Sequence, residues 1–93
     1  MVVGTLQLSI RIDRAFSLKD KRRVVRSLIE RARGSCHVAI AEVDDHDLWN
    51  VSTIGVACVS NDPRHAESIL QQVIDLFDGC PEIEVEAAEK NLR

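Results

Sequence analysis

Residues 4–12 alternate with a period of two. Leu6, Leu8, Ile10 and Ile12 face one way and Thr5, Gln7, Ser9 and Arg11 the other, which predicts a strand with one buried face. The period then lengthens. From Ser17 to Arg33, Leu18, Val24, Val25, Leu28, Ile29 and Ala32 recur at helical spacing and form one apolar stripe. Ser17 suits the N-cap, Asp20 places a carboxylate in the positive first turn, and Gly34 stands where a left-handed C-terminal cap is wanted. A second strand is expected over about Cys36–Val43, with Val38 and Ile40 on one face and Ala39, Ala41 and Val43 on the other. Asp44-Asp45-His46-Asp47 reads as a polar turn, and Trp49–Ser60, rich in β-branched residues, as a third strand.

Asn61-Asp62-Pro63 marks the start of a second helix, because Asp62 can cap it and proline fits the first helical position. Ala66, Ile69, Leu70, Val73, Ile74 and Phe77 form its buried stripe, which Gly79 ends. Beyond Cys80-Pro81, Ile83, Val85 and Ala87 alternate with Glu82, Glu84 and Glu86 in a last strand. The order strand, helix, strand, strand, helix, strand specifies an α+β, ferredoxin-like βαββαβ sandwich. Right-handed crossovers place both helices on one face of a four-stranded antiparallel sheet, with the first and third strands adjacent at its centre. The other face is left open. Val43, Val51, Ala57 and Val59 make part of it apolar, so a homodimer through that face is one expectation.

The 93 residues make one domain, 1–93, whose single core buries roughly 60–65% of the unfolded surface without staples. No apolar run approaches the roughly 20 residues of a bilayer span, and MVVGTLQLSI lacks the basic start of a signal peptide. A cytoplasmic protein is expected. Cys36, Cys58 and Cys80 are widely spaced and never in a CxxC pair, which disfavours a disulfide framework or zinc ribbon and points to reduced core thiols.

Net charge is −3, but residues 1–33 carry nine basic and three acidic side chains (+6) and residues 34–93 three and twelve (−9). Most of the positive charge lies on the first helix. Lys19, Lys21, Arg22, Arg23 and Arg26 are the candidate nucleic-acid-binding residues, since lysine and arginine neutralise phosphates and arginine adds planar bidentate donors. Phe16, Trp49 and Phe77 are the only aromatics, and none lies inside the first or third strand. A base-stacking sheet is therefore not expected, and RNA contact should be directed at the backbone.

No catalytic signature is present, so no enzyme activity and no cofactor are expected. Glycines 4, 34, 55 and 79 are isolated and form no phosphate loop. Glu42, His37 and the Asp44–Asp47 turn crowd possible ligands together, but neighbouring side chains in extended chain diverge, so a self-satisfied turn is expected rather than a metal site. Trp49 either plugs the end of the core or anchors a partner.

SLKDKR at Ser17–Arg22, AEVDDHDLW at Ala41–Trp49 and GVACVSND at Gly55–Asp62 together resemble the YlxP-like family of small bacterial proteins of unknown function, with Asp20 and Asp45 as mild variants. The resemblance covers nearly the whole chain. It implies a ferredoxin-like fold and a bacterial cytosolic protein. Members are frequently encoded among genes for translation initiation and ribosome assembly, an association that implies a role on RNA or the ribosome. It supplies no catalytic residues. The rival expectation is a homodimeric protein-interaction module whose basic helix grips an acidic partner.

Overall fold

The computed structural model describes all 93 residues, as β1 (Val2–Ile12), α1 (Leu18–Cys36), β2 (Ala39–Asp44), β3 (Val51–Ser60), α2 (Pro63–Asp78) and β4 (Ile83–Leu92). The sheet order is β2-β3-β1-β4 with every neighbour antiparallel, which is the expected ferredoxin-like arrangement with β1 and β3 central. Leu6, Leu8 and Ile10 of β1 pair with Val56, Ile54 and Ser52 of β3. Directly opposed residues share a face, so this register sets one continuous apolar surface beneath the helices. Leu28 and Ala32 of α1 and Leu70, Val73 and Phe77 of α2 close over it, all essentially inaccessible.

Three predicted boundaries shift: the second strand starts at Ala39 and not Cys36, the third at Val51 and not Trp49, and the first helix runs on past its expected end. The first helix runs through Gly34 to Cys36, and the left-handed cap is His37, at φ 54° and ψ 51°. The extra turn buries Cys36, and Val38 re-enters the core just beyond; Gly34 stands in open space with an ordinary helical φ. Gly79 does end α2, but in a right-handed conformation, its N–H donating to the Asp75 carbonyl at 3.0 Å while the Cys80 N–H donates to the Phe77 carbonyl.

Two bulges re-aim side chains on the edge strands. Pairing of β1 with β4 slips between Ser9 and Ile10, leaving Glu86 without a direct partner. Past this slip the alternation of β4 inverts. Ile83 and Val85 face the helices as expected, but Ala87 pairs with Ser9 on the open face, while Ala88, Lys90 and Leu92 turn inward opposite Leu8, Leu6 and Gly4. Lys90 thereby reaches Glu67 and Gln71 of α2, at 3.0 and 2.9 Å. A second slip between Glu42 and Asp44 isolates Val43, whose side chain folds across Gly55. A Cβ at Gly55 would lie 2.8 Å from Val43 Cγ1, so glycine permits the approach. On the open face Val43 and Val59 are exposed and Val51 and Ala57 half-buried.

Cys36, Cys58 and Cys80 are free and buried, and burial pushes the Cys36 thiol up. A thiol that is both hidden and protonated is a poor nucleophile. Alkylation of native protein should therefore be slow at all three positions and become rapid together on unfolding in urea, as read by mass spectrometry. Rapid labelling of any one in the native state would contradict this packing.

Candidate nucleic-acid interface

The start of α1 is fixed by reciprocal caps. Ser17 Oγ accepts from the Asp20 N–H at 3.1 Å, and the Asp20 carboxylate accepts from the Phe16 N–H at 3.2 Å. From this start, Lys19, Arg22, Arg26 and Arg33 follow one another at spacings of three, four and seven residues along the exposed side of the helix. Lys19 to Arg26 spans about 10 Å along the axis. Lys19, Arg22, Arg23 and Arg26 border a shallow surface depression of about 490 Å³, together with Asp20, Ser27 and Glu30.

The five candidate residues divide into three groups. Lys19, Arg22 and Arg26 are exposed and have no carboxylate of the protein within ion-pair distance. Arg23 is also exposed but meets Glu82 at 3.2 Å across the mouth of a cavity of about 670 Å³ between the start of α1 and the α2–β4 turn. Lys21 is a correction. Only 1% of its side chain is accessible, and its Nζ donates to the carbonyls of Asp45 and Leu48, both at 2.5 Å, and meets the Glu42 carboxylate at 3.0 Å. Lys21 cannot reach a phosphate. A signal for this was present in the sequence: Lys21 stands three, four and seven residues before Val24, Val25 and Leu28, on the apolar stripe itself.

Lys21 instead organises the β2–β3 loop. Glu42 also accepts from Ser52 Oγ at 2.5 Å, Asp45 accepts from Thr53 Oγ1 at 2.7 Å, and the Asp45 N–H donates to Asp44 at 2.8 Å. His46 Nε2 lies 3.1 Å from the Glu42 carbonyl, and Asp45 adopts a left-handed φ of 64°. Asp44 and Asp45 of the acidic turn are thus spent on local hydrogen bonds, and no three His, Cys, Asp or Glu side chains converge on a common point. The loop is tied to the sheet by the Ile12 N–H, which donates to the Asn50 carbonyl at 2.9 Å. Trp49, 47% accessible, does not plug the core, and Leu48 beside it is equally open.

Folding cancels part of the charge division along the chain. Arg11 pairs with Asp13, Glu84 and Glu86 on the open face, and its guanidinium is held protonated still more firmly, first by the Asp13 hydrogen bond and next by the Glu84 charge. Arg11, Lys21 and Arg23 are therefore matched by carboxylates of the second half. The outer face of α1 is the cationic surface left over. No helix is long and apolar enough to cross a membrane.

Among solved structures, the fold is similar to a de novo designed protein with a ferredoxin fold, with a TM-score of 0.56 and 14% identity, covering 100% of this chain and 86% of that one. It is also similar to a chlorite dismutase variant from Candidatus Nitrospira defluvii, with a TM-score of 0.51 and 15% identity, covering 98% of this chain and 39% of that one. At such identities the likeness concerns the fold alone. In sequence, the chain is 34% identical over 83 residues to the uncharacterized protein YlxP of Bacillus subtilis (strain 168), covering 89% of this chain and 90% of that protein. The model of a family described as protein of unknown function, DUF503, matches residues 3–90, and the chain belongs to that family.

Proposed function

We propose that the protein is a non-enzymatic cytoplasmic module that binds RNA, seating a phosphodiester backbone along α1 through Lys19, Arg22 and Arg26, with Arg23 shared between the RNA and Glu82. The observation that carries this reading is that the first three stand exposed on one side of a helix without an internal carboxylate partner. Two are arginines, whose planar forks match phosphate oxygens bidentately. The centre of the open sheet supports the same assignment by what it carries. Thr5, Gln7 and Ser9 on β1 and Thr53, Gly55 and Ala57 on β3 offer no aromatic platform for bases.

The test is binding of a ribosomal RNA fragment across a salt series. Affinity should fall steeply with salt, with a slope equivalent to about three neutralised phosphates. The double variant Arg22→Glu/Arg26→Glu should weaken binding by roughly tenfold or more and flatten the slope by about two. Because both side chains are solvated, its melting temperature should match that of the parent. Binding that ignores salt, or that survives the double reversal, would overturn the assignment.

A further inference from the structure

Two of the three aromatic rings lie outside the core, Phe16 at 82% and Trp49 at 47% accessible, and both sit at the end of the molecule where α1 begins. Lys21, in the first turn of α1, grips the carbonyl of Leu48, next to Trp49, while Phe16 stands immediately before the helix cap. We propose that this end holds an unpaired stretch of the RNA, Trp49 and Phe16 stacking on splayed bases while Lys19, Arg22 and Arg26 hold the phosphates. The inference rests on the RNA reading above and adds the kind of RNA: single-stranded, or with unpaired bases beside a paired stem.

Both rings are carried on backbone fixed before any ligand arrives. The Phe16 N–H is bound by Asp20, and the Trp49 loop is pinned by Lys21 at Asp45 and Leu48, by Thr53 at Asp45 and by Ile12 at Asn50. Preorganised anchors lose little freedom on binding. The surrounding charge also sorts the ligand. Asp44 and Asp47, on the same loop as Trp49, disfavour phosphates there, while the cations draw the backbone onto the helix. A carboxylate beside a stacked base can accept from an exocyclic amine.

Trp49 is the only tryptophan, so its fluorescence reports on this end alone. The intact protein is titrated with a short single-stranded oligoadenylate and with a blunt-ended, fully paired RNA duplex, following fluorescence and the anisotropy of labelled RNA. The single strand should quench Trp49, and Trp49→Ala and Phe16→Ala should each weaken its binding by roughly tenfold while leaving duplex binding unchanged. Trp49→Phe should restore most of the affinity. If both alanine variants bind the single strand like the parent while Arg22→Glu/Arg26→Glu still loses binding, stacking is wrong and the backbone reading stands. If neither RNA binds and polyglutamate quenches Trp49 instead, both fall in favour of an acidic protein partner.

Discussion

Lys21→Met should lower stability by roughly 3–5 kcal/mol, although it replaces a buried cation by an apolar chain of similar reach. The loss comes from what stays behind. Glu42, only 17% accessible in its side chain, keeps Ser52 but loses its counter-charge, and the Asp45 and Leu48 carbonyls lose their shared donor. In a domain of this size the drop in melting temperature should be on the order of 15–30 °C. Lys21→Met/Glu42→Leu removes both charges and should recover much of the loss, since neutralising a buried pair costs far less than orphaning one member. Urea and thermal denaturation of the three proteins check this. A loss below about 1 kcal/mol for the single variant would mean that Lys21 is not the clasp its contacts describe. Trp49 fluorescence should change with the same substitution, because the loop that presents the ring is closed by that ammonium group.

Lys21 also shows where the sequence stops being legible. The alternation of β1, the Ser17 and Asp62-Pro63 helix starts and the stripe of α2 are local signals, and each appears in the structure where its pattern places it. Local chemistry decides such features, so a single chain carries them openly. Gly34 misleads because glycine permits a left-handed cap without requiring one, and burial of Cys36 outweighs the cost of a positive φ at His37. The bulges at Val43 and Glu86 are set by how an edge strand meets its neighbour, and nothing within either strand announces them. The cationic face of α1 was readable as a whole. Which of its members are free was not, because Glu42 and Glu82 lie 21 and 59 residues away from Lys21 and Arg23 in sequence and meet them only in the fold.

Phe77→Ala should be the most damaging substitution in the core. Phe77 is wholly inaccessible, and it is the only aromatic in the buried cluster beneath the two helices. Truncation to alanine removes the ring and leaves a cavity that rigid neighbours fill only partly, at a cost of roughly 3–5 kcal/mol. A domain of this length has only about 5–14 kcal/mol in total, so the variant should unfold in mild urea and be partly unfolded when warmed. Phe77→Leu keeps most of the volume and should cost less than about 1.5 kcal/mol. The contrast with the other two rings gives the measurement its value. Trp49→Ala and Phe16→Ala remove aromatic surface from solvent-accessible positions, so their melting temperatures should stay near that of the parent while single-stranded RNA binds roughly tenfold more weakly. If Phe16→Ala or Trp49→Ala destabilised the domain as Phe77→Ala does, these rings would be structural plugs. Their effect on RNA would then reflect unfolding, not stacking.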